Sequence, residues 1–351
     1  MMTSGKALFY YFSGTGNSFF LASVARAGAE KAGFRSELLP LHAQARPQAD
    51  TVFFFSPVHG FIPPWEVIKA LLFLPRGEGK KAAVVMSRGA LKVGGVYVPG
   101  LEGTGLYLQA LILRLKGYSV GGVKAVDMPS NWILVHSPVK EADASVMRAR
   151  AAAEIAAFTE EILKGGKVFG GSIQFLLGLA LLPVSFGYLF YGRFMLGQLN
   201  FYTGKCVSCG LCVQKCPTGS LVMRPAGEIE RPYWKLSCAG CMRCINVCPY
   251  KAVEESHLWM LLLWALASWR LLPSMLEYLG GGVLPSFFSL QPSAFLLHWA
   301  NFFFLLFLSS AVFRKLLRVG VINRLFRWGS FTRFYGRYNA AACKELEGFT
   351  R

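Results

Sequence analysis

The chain has 351 residues, enough for two or three domains. Only 16% are charged and 54% are hydrophobic, against about 25% charged in an ordinary soluble chain, so the excess apolar surface needs a membrane or another partner. The formal charge of +18 points to phospholipid, nucleic acid or an acidic protein, and argues against a cationic partner.

Residues 1–166 alternate strand-like and helix-like patterns. Lys6–Phe12 reads as a buried strand and Ser18–Lys31 as the helix after it. Phe34–Leu39, Thr51–Ser56, Lys81–Ser87 and Val120–Asp127 read as four further strands, with helices at Trp65–Leu74, Gly105–Lys116 and Val139–Lys164. Such alternation predicts a parallel sheet covered on both faces, and five strands suit the doubly wound order 2-1-3-4-5. The early apolar run Ala7–Phe12 is too short for a secretory signal, so this part is expected in the cytoplasm.

Between the first strand and its helix stands Ser13-Gly14-Thr15-Gly16-Asn17-Ser18. Hydroxyls and backbone N–H groups at a helix N-terminus form an anion site, and glycines permit the turn. The loop lacks the Gly-Lys-Ser/Thr ending of a P-loop. Phe19 breaks the G-x-G-x-x-G dinucleotide pattern. A hydroxyl-rich loop of this kind suits a terminal phosphate monoester.

Residues 167–200 form a hydrophobic connector whose stretch 173–191 carries no charge. Because it joins two cytoplasmic parts it cannot be a single span. A re-entrant segment, a short hairpin with Phe194–Tyr202, or an apolar patch for a partner all remain open.

Residues 201–256 hold eight of the nine cysteines in two runs, each ending in proline: Cys206-x2-Cys209-x2-Cys212-x3-Cys216 and Cys238-x2-Cys241-x2-Cys244-x3-Cys248. In a reducing compartment such crowding means metal, not disulfides. Two-residue spacers wrap three thiolates round one iron–sulfur cube, while the fourth projects to the other cluster. By that logic Cys206, Cys209, Cys212 and Cys248 hold one [4Fe–4S] cluster, and Cys238, Cys241, Cys244 and Cys216 hold the second. Zinc knuckles also use C-x2-C, but rarely this repeated, Pro-terminated run. Small residues such as Ser208, Gly210, Ala239 and Gly240 leave room for N–H groups near the sulfurs.

Residues 257–313 read as a membrane hairpin of spans 258–278 and 292–313, with no Lys or Arg between Gly280 and Ser293. Arg270 is the objection, since a mid-span arginine costs about 2.5–3.5 kcal/mol on insertion; Glu277 is its candidate partner. His298 and Asn301 suit helix packing or a quinone. The tail 314–351 is basic and aromatic, which suits anionic headgroups. Single-stranded RNA would accept the same composition, but no nucleic-acid fold accompanies it. Cys343 stands alone.

The loop Ser13–Ser18 fits the [ST]-x-T-G-[NK]-[ST] pattern after the first strand of flavodoxins, which residues 5–166 resemble in element order. The cysteine segment resembles bacterial two-cluster ferredoxins over about fifty residues. Together they resemble flavodoxin–ferredoxin fusion proteins, with a hydrophobic C-terminal extension added. The resemblance implies an α/β, flavodoxin-like five-stranded sheet followed by a two-cluster domain. It also implies FMN, its phosphate held by Ser13, Gly14, Thr15, Gly16, Asn17 and Ser18. The flavin ring would lie between Ser56–Phe61 and Ser87–Gly100, touching Pro57, His59, Gly60, Phe61, Arg88, Gly89 and Tyr97. Gly60 would flip its peptide toward a flavin nitrogen, Tyr97 or Phe61 would stack, and Arg88 would favour an anionic reduced flavin. His59 and Arg88 are weak catalytic candidates, and Asn131 and Trp132 could face the site. The expected function is a membrane-associated electron relay between FMN, two clusters and a redox partner, at the cytoplasmic face of the membrane. The alternatives are a docking or assembly subunit of a membrane redox complex, and an FMN-dependent reductase. Nucleic acid is not expected as a partner.

Overall fold

The computed structural model describes residues 5–340 except 43–44, 228, 264 and 266–291. Apolar runs in the N-terminal part form β1 (Lys6–Tyr11), β2 (Arg35–Pro40), β3 (Thr51–Pro57), β4 (Lys81–Val93), β5 (Val96–Val98), β6 (Ser119–Pro129) and β7 (Val168–Phe169). The strands order as β2-β1-β3-β4-β6-β7, all parallel along this path, with β5 folded back on β4. The principal strands therefore follow the expected doubly wound, flavodoxin-like order. The connector adds β7 at the edge, so six parallel strands stand where five were expected.

Central strands buried on both faces read as unbroken apolar runs. Leu8, Tyr10, Phe54 and Val84 meet α2 (Trp65–Phe73) and α3 (Gly105–Leu115) on one face. Phe9, Phe53, Phe55 and Val85 meet α1 (Asn17–Lys31) and α4 (Glu141–Leu163) on the other. Phe9 stacks on Phe53 with ring centroids 4.8 Å apart.

One strand corrects the sequence reading. β4 does not end at Ser87 but runs to Val93, because β6 pairs with it as far as Ala90 and β5 pairs with Leu91–Val93. Gly94 and Gly95, at φ 57° and 85°, make the turn into β5. Most of the expected second flavin loop is thus a strand and a hairpin.

The connector forms α5 (Ser172–Ala180), α6 (Leu182–Gly187), a π-helical turn Tyr188–Gly192 and α7 (Arg193–Met195). α5 and the segment Leu182–Leu199 are bent by 69°. Pro183 stands in the first turn of α6, where its missing N–H is harmless.

In the cysteine-rich unit β8 (Asn200–Tyr202) pairs antiparallel with the last strand, β11 (Val253–Glu255). Between them lie α8 (Leu211–Gln214), the hairpin β9 (Leu221–Ala226) and β10 (Ile229–Trp234), and α9 (Arg243–Val247).

The C-terminal segments pack on this unit. Residues 257–263 are helical, and α10 (Pro292–Leu316) and α11 (Gly320–Trp328) follow. Trp259 stacks on Phe313 at 4.5 Å, and Leu306, Phe313, Leu317 and Phe326 share a buried core with Trp234. The opposite face of α10 exposes Phe304, Phe307, Leu308 and Val312. Among the described residues no single helix is long and apolar enough to cross a membrane; the bent pair from Ser172 to Leu199 passes by length and composition together. Most of the first expected span, with Arg270, Glu277 and most of the link to the second, lies outside the described residues, as do the side chains of His298 and Asn301 and all of Cys343.

The basic aromatic tail, expected to suit anionic headgroups, packs along the chain as a strap as far as Ala340. Ser330 and Thr332 bond the Glu255 backbone, the Tyr338 N–H donates to Asn246, and the Ala340 N–H reaches the Thr15 carbonyl at 2.8 Å. His257 adds a tie. Its Nδ1 accepts from the Phe331 N–H, so Nε2 carries the proton and donates to the Leu134 carbonyl at 2.7 Å.

Glu255 is fully buried and neither carboxyl oxygen has a hydrogen-bond partner among the described residues. Burial pushes its pKa up to about 8. The folded chain therefore keeps a proton that the unfolded chain releases near pH 4.5, and stability falls as pH rises through that window, by about 1 kcal/mol per unit. Anaerobic melts between pH 6 and 8 should show a steeper fall for the native chain than for Glu255→Gln; parallel curves would contradict this.

Candidate iron–sulfur site and the adjoining loop

The cysteines gather in two recesses. Cys206, Cys209, Cys212 and Cys248 line the first, about 370 Å³ including its open mouth. Cys216, Cys238, Cys241 and Cys244 line the second, about 300 Å³ on the same measure. Each recess takes three thiols from one run and the fourth from the other. Among the described residues no three His, Cys, Asp or Glu side chains converge as ligands of a single metal ion do. The donor set suits a cube with a sulfur outside each corner, so these residues fit iron–sulfur clusters.

The two runs repeat their backbone as well as their spacing. Ser208 and Gly240, Gly210 and Met242, and Gly219 and Lys251 are matched positions, and all six have φ between 48° and 71°. Successive left-handed turns point N–H groups inward, forming a nest for negative charge. For Ser208, Met242 and Lys251 this backbone costs of order 1–3 kcal/mol each. The backbone N–H groups of Val213, Gly240 and Arg243 stand near the sulfurs of Cys212, Cys238 and Cys241 and favour their ionised forms. The Ala252 N–H lies 3.3 Å from Cys248 Sγ.

Burial pushes the Cys212 thiol up to about 11 and Cys238 up to about 12. Without a metal's positive charge these groups would stay protonated at neutral pH. Two cations stand near the second recess, and sequence reasoning missed both roles. Arg314, read there as the membrane flank, is half-buried; its guanidinium donates to the Asn200 carbonyl and lies 5.1 Å from the Trp234 ring. Burial lowers its pKa to about 10, so it stays charged at neutral pH. Arg243, between two ligands, donates to the carbonyls of Gly14 at 2.8 Å and Ser13 at 3.0 Å. No spacing rule links residue 14 to residue 243.

The Ser13–Ser18 loop is therefore an inter-domain contact. A side chain at Gly14 would collide with the Cys241 carbonyl oxygen. Ser13 Oγ accepts from the Gly16 N–H at 3.1 Å, and Ser18 Oγ meets Ser87 Oγ at 2.8 Å. Asn131 bonds the Thr15 hydroxyl, and Asn17 holds the Pro129 carbonyl and the Tyr338 hydroxyl. Trp132, expected near the site, is half exposed, with no part in these bonds.

The expected ring contacts are also otherwise engaged. The Gly60 carbonyl accepts from Ser185 Oγ at 2.9 Å. A methyl group at Gly60 would come within 2.6 Å of Tyr188 Cβ, so the connector lies directly on this loop. His59 Nδ1 stands 3.3 Å from the Tyr188 hydroxyl, and burial holds its pKa down at about 4. His59 is therefore neutral at neutral pH. Pro57 ends β3, and Phe61 is half-buried with its backbone against Gly103. Arg88 is neither at a ring nor in solvent. It grips Asp127 through two bonds at 2.7 and 3.1 Å and Glu102 at 2.7 Å. Gly89 packs on Ser130 within β4, and Tyr97 sits between Lys92 and Arg150. So arranged, the residues do not fit FMN.

A model of the 4Fe-4S dicluster domain matches residues 205–252. A protein described as "Protein NrfC homolog" from Haemophilus influenzae is 38% identical over 64 residues, covering 17% of this chain and 28% of that protein. A ferredoxin of Pyrobaculum islandicum is 37% identical over 51 residues, covering 14% and 46%. The chain thus spans less than half the length of either relative. A solved flavodoxin from the domain Archaea covers 44% of this chain and 99% of its own, at 15% identity and a TM-score of 0.28. So low a score carries no argument, and the assignment of the N-terminal fold rests on its strand order. By that order and by the dicluster match, the chain joins a flavodoxin-like doubly wound domain to a 4Fe-4S dicluster domain, the arrangement of a flavodoxin–ferredoxin fusion.

Proposed function

We propose that this chain is an electron-transfer protein with two [4Fe–4S] clusters, passing single electrons to or from an acidic redox partner. The observation that carries this reading is the sharing of thiols, with Cys216 in the recess of the second run and Cys248 in that of the first. When bound, each cluster takes up and releases one electron. The protein's part is to hold the sulfurs, to aim N–H groups at them and to exclude water. FMN is left out of the reading, because Gly60, Arg88 and the Ser13–Ser18 loop are bonded within the chain.

The first recess is the outward one, since Cys209 is exposed while Cys238 and Cys244 of the second are buried. Beside it lies a cleft lined by Lys205, Arg231, Arg318, Arg324 and Arg327. Arg231 also bonds the Cys206 carbonyl, so the basic rim touches the first ligand loop. An acidic partner docked there would sit close to the outer cluster.

The exposed apolar faces of the connector (Ile173, Leu176, Phe186) and of α10 (Phe304, Phe307) support association with the cytoplasmic face of an anionic membrane. The same faces would serve a docking subunit of a larger membrane redox complex; stable co-purification with partners and no electron transfer by the chain alone would favour that reading.

Anaerobic iron, sulfide and EPR analysis tests the centre of the proposal. Cys216→Ala and Cys244→Ala should each lower iron from about eight to about four per chain, and the double variant should lose no more. Additive losses would break the sharing, and iron-free native protein would sink the function. Arg318→Glu with Arg324→Glu should slow reduction of an acidic acceptor at least tenfold at low salt, with the gap closing as salt rises. The native chain should float with anionic vesicles; failure to float would remove the membrane from the picture.

A further inference from the structure

We propose that the Ser13–Ser18 loop serves in this chain as the seat of the second cluster-binding loop, and that the connector has taken the place of a flavin ring. The proposal rests on the reading of the second recess as a cluster site, but is decided by separate measurements.

Three independent observations converge on it. The first is at the phosphate end. The Ser13 and Gly14 carbonyls point at Arg243 and hold its guanidinium through two bonds. Arg243 itself lies in the second recess, two residues after Cys241 and directly before Cys244. Gly14 admits the Cys241 carbonyl only because it has no side chain. A loop that presents carbonyl oxygens to a guanidinium is working as an acceptor on that side. The strap closes the loop further through Tyr338 and Ala340.

The second observation is at the ring end. Ser185 donates to the Gly60 carbonyl, the group a flavin nitrogen would need, and Tyr188 is buried against Gly60 and His59. The same connector continues to Gly197, where a methyl group would come within 2.5 Å of Cys238 Cβ. One segment thus packs on both the β3 loop and a ligand of the second recess.

The third is the far wall. β4 continues as a strand past the level of Ser87, pinned by Arg88 between Asp127 and Glu102, so most of the expected second loop is strand and hairpin and only residues 99–104 stay irregular. Each change removes a different part of a flavin site, and the first two turn that part into a contact with the dicluster unit.

Two measurements on the full chain test this. Anaerobically purified protein should release no flavin on denaturation, and added FMN should keep its full fluorescence on titration with the protein. One FMN per chain would overturn the proposal whatever the iron content. Gly14→Ala should remove about half the iron and the EPR signal of one cluster, although residue 14 is remote in sequence from every cysteine. If that variant does not fold, Arg243→Gln decides: it should alter the signal of the second cluster and leave the first unchanged. A full iron complement with unaltered spectra in whichever variant folds would overturn the seat. Absence of iron from the native chain would instead sink the electron-transfer reading, and the flavin titration would still decide the occupied ring place.

Discussion

Burying thiols as thiolates is the constraint on which the rest of this structure depends. A buried cysteine resists ionisation, as the upward shifts of Cys212, Cys238, Cys241 and Cys244 record. The protein can lower that cost only with N–H dipoles and cations at short range. The matched left-handed residues supply the dipoles. Ser208 and Met242 accept backbone strain in doing so, which places the ligand loops under a load that something outside them must hold.

What holds them is the rest of the chain. The dicluster unit spans about fifty residues, too few for a large apolar core of its own. Its core is completed by Trp259, Leu306, Phe313 and Phe326 from the C-terminal helices and by Ile133 and Leu134 from the flavodoxin-like domain. The apolar extension that composition alone directs to a membrane is thus partly spent inside the protein. α10 divides the two uses by face, with Leu306 and Phe313 inward and Phe304 and Phe307 outward.

How much of this is legible in the sequence follows from the range of the forces. The parallel strands are legible because burial on both faces leaves continuous apolar runs such as Val52–Phe55. The cysteine grouping is legible because a cube fixes ligand spacing locally. The extension of β4 is not, since Arg88 and Gly89 look like a loop until Asp127 and Glu102 come alongside from elsewhere in the chain. Nor are Arg243, Arg314 and Tyr188, whose partners are set by domain packing. The pattern Ser13–Ser18 is the instructive case. The motif is present, but its chemistry depends on what packs against it, and Cys241 and Ala340 are invisible from residue 14.

On the proposed reading the two clusters are not equivalent, and the difference has a direction. The outer recess opens on solvent beside a basic rim whose charges water and salt screen. The inner recess adjoins the Ser13 loop, the connector and α10, and its cations are the half-buried Arg314 and Arg243. A cation in a low-dielectric site stabilises added negative charge more than one in water does. Burial itself opposes an added electron there, and Arg314 and Arg243 offset part of that cost. On that reading the flavodoxin-like domain is one wall of the inner recess, through Gly14 against Cys241 and the Ser13 loop that holds Arg243.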